Sequence, residues 1–208
     1  MTAVPRAQWW MLGLLLALLL LAQVKQPFPA VAPLHHIPTL ILLVAAPFVL
    51  RRWPMSNASV ACVAGFFALH TIGGRYTYVA VPYDDVARWL TGHSVSETFG
   101  FTRNHYDRLV HLCYGLLAVM PVREALQRHV GIRPRVALYI AVESVFAISM
   151  LYEIFEWLLT LTMQGPLADA YNGQQGDMWD SQKDMAIAAL GAIVAAVVLS
   201  LRRRSDER

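Results

Sequence analysis

Six long apolar stretches dominate the chain, and shorter polar or charged connections separate them. Most of these stretches approach the roughly 20 residues that a helix needs to cross a membrane. The pattern predicts helical spans at about 9–24, 36–50, 56–74, 106–124, 135–161 and 182–201. Because the spans follow one another along the whole sequence, we expect residues 1–208 to form a single all-α domain, a polytopic membrane helical bundle.

The first apolar stretch lies between Arg6 and Lys25, and it has the composition of either a signal-peptide core or a first transmembrane helix. A retained helix is the favoured interpretation because the stretch is long for a signal and no small-x-small cleavage site follows it. Trp9 and Trp10 also lie where an interfacial aromatic belt is expected.

The lysines and arginines lie unevenly in the connections between the predicted spans. One set of alternate connections and termini holds eleven of them: Arg6, Arg51, Arg52, Arg123, Arg128, Arg133, Arg135, Arg202, Arg203, Arg204 and Arg208. The other set holds six: Lys25, Arg75, Arg88, Arg103, Arg108 and Lys183. Since cytoplasmic loops carry the excess of positive charge, we expect both termini in the cytoplasm and the segments 75–105 and 163–179 outside.

The composition agrees with a membrane protein: 57% of the residues are hydrophobic and 15% are charged, against about 25% charged residues in soluble domains. The net charge of +3 does not indicate nucleic-acid binding, because the basic residues lie at the ends of apolar runs and form no stripe. Cys62 and Cys113 both lie inside apolar segments, so we expect buried thiols and no disulfide.

The longer outer connection, 75–105, contains a candidate surface helix. Asp84 and Asp85 are suitable caps for it, and three apolar residues share one of its faces, namely Val86, Trp89 and Leu90. This pattern is typical of a helix lying on the membrane surface, and a helix packed across the mouth of the bundle fits it equally well.

Acidic residues concentrate at the predicted outer face, which holds ten of the fourteen in the chain. Several lie inside predicted spans, where a carboxylate is costly unless it is paired, binds a cation or lines a watered cavity. Asp107 and His111 are four residues apart on one helix face, and Glu153 and Glu156 are three apart on the next span.

A third group lies at the entry to the last predicted span, where Asp177, Asp180 and Asp184 share a narrow arc if the helix begins early enough. His70 lies at the outer end of the third span. We expect these groups to converge at one depth, an arrangement by which helix bundles hold divalent metals. The predicted metal ligands are His70, Asp107, His111, Glu153, Glu156, Asp177, Asp180 and Asp184.

Ion pairing is the alternative explanation for these acids, with four outer cations as partners: Arg75, Arg103, Arg108 and Lys183. Because four cations are too few for the outer carboxylates, the charge balance favours a bound cation. Oxygen donors with one or two imidazoles suit Zn, Mn, Fe or Mg. Glu143 lies about 15 Å deeper than Glu153, and we expect it to be hydrogen-bonded inside the bundle, with a proton path as the other possibility.

Four motifs resemble, in order, those of the YjdF family of bacterial inner-membrane proteins. They are HTIGGRYTY at 70–78, RNHYDRLVH at 103–111, YEIFEW at 152–157 and GQQGDMWDSQKDM at 173–185. Gln174 departs from the small polar residue expected there. The resemblance implies a multi-pass helical protein of the bacterial inner membrane, and it brings no established activity.

The segments around Asp107, Glu153 and Asp184 also resemble, more distantly, motifs of VanZ-like membrane proteins. That resemblance implies work on the outer leaflet or the cell envelope.

Three functions are compatible with this pattern. The first is a metal-dependent enzyme acting on a lipid or lipid-linked envelope substrate, with Arg103 or Arg108 holding a phosphate and His105 or a spare carboxylate accepting a proton. The second is proton or cation transport, which is disfavoured because Glu143 is essentially the only ionisable residue deeper in the membrane. The third is a non-catalytic envelope protein that binds a metal or a partner.

Overall fold

The computed structural model describes residues 2–162, 171 and 173–206, and all regular secondary structure in this part of the chain is helical. The helices are α1 (Arg6–Gln23), α2 (Ala32–Arg52), α3 (Asn57–Arg75), α4 (Tyr83–Thr91), α5 (Val95–Phe99), α6 (Tyr106–Ala125), α7 (Pro134–Thr162) and α8 (Asp180–Asp206). A π-helical turn, Leu126–Val130, extends α6.

Six of these helices are long and apolar enough to cross a membrane: α1, α2, α3, α6 with its π turn, α7 and α8 up to Arg202. The predicted all-α bundle with six spans is therefore confirmed. The largest differences at boundaries are at two helix ends: α6 with its π turn continues to Val130, past the predicted residue 124, and α8 continues to Asp206, past the predicted residue 201. Helix α2 begins at Ala32, ahead of the predicted residue 36. Pro33 lies in its first turn, where a missing backbone N–H costs nothing, and the helix continues past Pro38 and Pro47.

The most extensive helix pair in the bundle is α6 with α8, and α6 also packs on α3 and α7. Two glycines allow α6 and α8 to approach closely. A Cβ atom at Gly115 would overlap the Ala188 carbonyl oxygen, and one at Gly191 would overlap the Leu112 carbonyl oxygen. The backbones of the two helices therefore touch, as they do at small-residue contacts in other membrane bundles.

The two ends of the bundle differ in charge. We call the end with Arg51, Arg123 and Arg202 the arginine end and the end with Asp184 the acidic end. At the arginine end, Ser56 caps α3, and its side-chain oxygen accepts a hydrogen bond from the Ser59 amide at 3.2 Å.

The short helix α4 lies at the acidic end and none of its residues is buried. Its N-cap is Pro82, so the prediction that Asp84 and Asp85 cap it is wrong: both lie in its first turn, where Asp84 accepts the Ser96 amide at 2.9 Å. The shared apolar face is exposed, with Trp89 83% exposed. This orientation fits a helix on the membrane surface and not one whose apolar face packs on the bundle.

Glu143 has a different environment from the one predicted. It lies on the exposed surface of α7, and so the expectation of a hydrogen-bonded Glu143 inside the bundle is wrong. The 3.6-residue periodicity explains the error, because the neighbouring Val145 and Ala141 occupy the buried face of α7. Cys62 and Cys113 are free thiols, and both are half-buried instead of buried as expected.

Candidate functional site

Side chains from α6, α7 and α8 meet at the acidic end of the bundle. We call this group the acidic cluster, and its members are Asp107, His111, Glu153, Glu156, Asp177, Asp180 and Asp184. The close backbone contact at Gly115 and Gly191 lies on the same pair of helices, about one turn below His111 and about two turns below Asp184. Close packing of α6 on α8 therefore brings the ligands of the two helices together.

At the centre of the cluster, Asp107, His111 and Asp184 each offer one ligand atom, and these three atoms lie within 4.8 Å of one another. Asp107 and His111 come from one face of α6, as their spacing predicts. The His111 Nε2 atom lies 3.6 Å from Asp107 Oδ1 and 3.7 Å from Glu153 Oε1. The structure thus brings together candidate ligands from three helices.

Two carboxylate oxygens in this centre are buried without a hydrogen-bond partner, namely Glu153 Oε1 and Asp184 Oδ1. The residues themselves are 6% and 2% exposed. The nearest cation to Asp184 Oδ1 is the Arg108 Nε atom, at 3.8 Å, beyond hydrogen-bond range. Buried polar atoms are nearly always paired, so these two oxygens need a ligand, a proton or a water.

Two arginines bind the aspartates at the start of α8. The Arg103 Nη1 and Arg108 Nη2 atoms both donate to Asp180 Oδ1, each at 2.6 Å, and Arg108 also donates to Asp177 at 2.9 Å. Asp177 and Asp180 were predicted as metal ligands, but the structure places them as the partners of these arginines. Arg103 and Arg108, which the sequence predicts to hold a phosphate, donate instead to these aspartates.

Asp177 has a third cationic neighbour, Lys183, whose Nζ atom lies 2.6 Å from its Oδ2 atom. This hydrogen bond, together with the Trp179 amide and Arg108, lowers the pKa of Asp177 to about 2. The carboxylate therefore remains ionised throughout the physiological pH range and keeps the loop before α8 attached to its neighbours.

The loop before α8 also contacts the segment that leads into α6. Arg103 donates to the carbonyls of Gly173 and Gln174, at 3.2 and 3.0 Å. Asn104 and Gln175 exchange two hydrogen bonds, from the Asn104 amide and from the Gln175 side chain. The glycine-rich sequence predicts a tight turn here. The spacing of residues along the sequence does not predict that this turn hydrogen-bonds to Arg103 and Asn104.

The charge balance of the cluster is more uneven than the sequence predicts. Arg75, one of the four expected partners, donates instead to the carbonyls of Ala22 and Val24 at the end of α1, at 2.6 and 2.9 Å. Among the described residues, Arg103, Arg108 and Lys183 remain for six carboxylates. A positive charge at a helix C-terminus is favourable, which explains the position of Arg75.

His70 belongs to a separate hydrogen-bond network. Its Nε2–H group donates to the His35 carbonyl at 2.8 Å, and the Tyr78 hydroxyl donates to its Nδ1 atom. Burial raises the pKa of Tyr78 well above its ordinary value, so this hydroxyl stays protonated. Since both ring nitrogens are occupied, His70 is not arranged as the metal ligand that the sequence predicts.

His105 precedes the first residue of α6, where its ring lies tilted against the Phe101 ring with a centroid distance of 4.1 Å. Its backbone amide donates to the Tyr83 hydroxyl at 2.9 Å. Burial, and then the positive charges of Arg108 and Arg103, lower the pKa of His105. A neutral imidazole is able to accept a proton, and its catalytic role stays a prediction.

A cleft of about 360 Å³ lies between α7 and α8 beside the cluster. Its polar lining includes Glu153, Glu156, Asp180, Ser181 and Gln174, and its apolar lining includes Met150, Ile154 and Trp157. Ser181 was not predicted as a site residue, although it lies one position after Asp180. Its hydroxyl is a hydrogen-bond neighbour of the Glu153 carboxyl.

Comparisons with known proteins agree with the sequence motifs. The family model described as "Predicted membrane protein (DUF2238)" matches residues 7–205. The inner membrane protein YjdF of Escherichia coli (strain K12) is 37% identical over 151 residues, which cover 72% of this chain and 68% of the relative. No solved structure matches the chain. The resemblance to the YjdF family is confirmed, whereas the one to VanZ-like proteins stays a prediction.

Proposed function

The chain belongs to the family of predicted membrane proteins DUF2238, and from that premise we propose that it is an inner-membrane enzyme whose acidic cluster uses a divalent cation. The substrate class that fits a site at the membrane surface is a lipid or a lipid-linked envelope molecule. The name of the Escherichia coli relative supports the inner membrane as the location.

The observation that supports this proposal is the convergence of Asp107, His111 and Asp184 beside two buried oxygens that lack hydrogen-bond partners. Ligand atoms 4.8 Å or less apart are close enough to share one cation after small side-chain movements. Like-charged carboxylates at this distance repel one another unless a proton or a cation lies between them. A cation at this position relieves the repulsion and provides a partner for the buried oxygens.

Asp107, His111 and Asp184 are the proposed ligands, and Glu153 lies next to them as a further ligand or a base. Oxygen donors with one imidazole favour Zn, Mn, Fe or Mg. A bound divalent cation polarises an ester or phosphate oxygen and lowers the pKa of a bound water. Glu153 or His105 would accept a proton from the attacking water. The water oxygen would bond to the carbonyl carbon or phosphorus while the bond from that atom to the alcohol oxygen breaks, and the departing oxygen would take up the proton.

The proposed orientation has both termini in the cytoplasm and the acidic cluster facing the periplasm or the cell exterior. The eleven-to-six distribution of lysine and arginine residues supports it. Transport of protons or cations is disfavoured, because Glu143 faces away from the bundle and extends no path inward from the cluster.

Elemental analysis of the detergent-purified protein tests the proposal. We expect about one equivalent of a transition metal or Mg in the wild type, and its loss in both His111→Ala and Asp184→Asn. Glu143→Gln, a neutralised acid on the exposed face of α7, is the matched control and should keep the metal. Full metal content in both ligand variants, or a metal-free wild type after titration with each candidate ion, contradicts the proposal.

A further inference from the structure

We propose that the cleft between α7 and α8 binds the headgroup of a lipid with a primary ammonium group, which enters sideways from the bilayer. The inference rests on the proposed function, because it places this headgroup beside the cation site. It goes further by naming the lipid class and the route of entry.

The position of the cleft supports entry from the bilayer. Three apolar residues of α7 line it, Met150, Ile154 and Trp157, and all three are exposed on the surface of a membrane-spanning helix. Trp157 lies near the end of α7, where tryptophan anchors commonly meet the headgroup region. An amphiphile can therefore keep its chains in the hydrocarbon while its headgroup reaches the polar part of the cleft.

The charge of the cleft determines which headgroup fits. Among the described residues that line it, the ionisable ones are all acidic, namely Glu153, Glu156 and Asp180. Asp180 is already bound by Arg103 and Arg108. Glu153 and Glu156 have hydrogen-bond neighbours in Ser181 and Tyr152, but no described lysine or arginine pairs with either of them. The Glu153 Oε1 atom is also buried and lacks a hydrogen-bond partner.

A primary ammonium group matches these acceptors because it carries a positive charge and three N–H donors. A trimethylammonium group has the charge but no N–H donor, and the headgroup of phosphatidylglycerol has neither. The phosphate of an aminophospholipid lies a few bonds from its ammonium group, so it comes near the cation site while the ammonium group contacts Glu156.

Native mass spectrometry of the full chain measures the preference directly. The purified protein is mixed with equimolar phosphatidylethanolamine, phosphatidylcholine and phosphatidylglycerol that carry identical acyl chains. We expect retention of phosphatidylethanolamine about tenfold above the other two, as one charge-assisted hydrogen bond provides. Stepwise N-methylation of the probe should remove the preference without any change to the protein.

The Glu156→Gln variant should lose this preference, while Glu143→Gln, on the same helix outside the cleft, should keep it. Equal retention of all three lipids by the wild type, or the same loss in both variants, overturns the inference. Elemental analysis of the same samples separates the two proposals. Metal without a lipid preference refutes the headgroup site alone, and a lipid preference without metal refutes the proposed cation chemistry alone.

Discussion

Glu124 at the arginine end and Glu153 at the acidic end are both carboxylates inside the bundle, but their surroundings are opposite. Glu124 Oε1 accepts the Ser56 amide at 2.7 Å and Arg128 at 3.1 Å. Its other oxygen accepts the hydroxyls of Ser56 and Ser59. Glu153 Oε1, by contrast, has no hydrogen-bond partner, and the His111 Nε2 atom lies 3.7 Å from it.

This difference teaches that an acid inside a membrane bundle has two distinct uses. Glu124 is saturated by donors from α3 and its own helix, so it joins helices and has no oxygen left for a ligand. Glu153 and Asp184 are buried, and each keeps one carboxylate oxygen without a hydrogen-bond partner. The arginine end therefore holds a saturated carboxylate, whereas the acidic end holds buried oxygens without partners, as the proposed ligand site requires.

Cysteine labelling determines which end of the bundle faces the cytoplasm and which faces the cell exterior. In a background without Cys62 and Cys113, we expect His93→Cys, between α4 and α5, to react with a membrane-impermeant thiol reagent in whole cells. Val130→Cys at the arginine end should react only after lysis, because the bilayer blocks the reagent completely. Both positions are exposed. The reverse labelling pattern would place the acidic cluster in the cytoplasm.

The acidic end should also depend more strongly on close helix contact. Gly115→Ala should lower the free energy of unfolding by about 3 kcal/mol, because the added methyl group meets backbone atoms of α8 that cannot move aside. Gly65→Ala is the matched control: its Cβ atom would lie 3.9 Å from Leu117, an ordinary contact. Thermal unfolding in detergent measures both, and equal stability of the two variants would show that the glycine contact is unimportant.

The smallest expected effect is on stability, and it compares Glu124 at the arginine end with Glu153 at the acidic end. Glu124→Gln should destabilise the protein by about 1.5 kcal/mol because charged acceptors for two serines are lost. Glu153→Gln should leave the metal-free protein unchanged or more stable, since it removes one of several mutually repelling carboxylates. Unfolding in the presence of a chelator tests the pair. Equal destabilisation by both substitutions would mean that Glu153, like Glu124, contributes to stability, and it would contradict the contrast between the two ends.

The sequence alone predicts the six membrane spans, because each span is a long apolar run with charges at its ends and such a run is a local property of the chain. It also predicts that Asp107 and His111 share a face, since residues four apart on a helix always do. Packing between helices is not local. The partners of Asp180, the network around His70 and the exposure of Glu143 depend on how each helix is rotated, and a single sequence with weak amphipathicity does not determine rotation.

The glycine contact between α6 and α8 also has a consequence for biogenesis. Arg103 and Arg108 precede or begin α6, whereas their partners Asp177 and Asp180 arrive with α8, after the whole of α7 has been synthesised. Until α8 docks at Gly115, the nascent bundle holds two unpaired arginines beside an incomplete set of acids. The charge pairing of Arg103 and Arg108 is therefore complete only after the last membrane span has been synthesised and inserted.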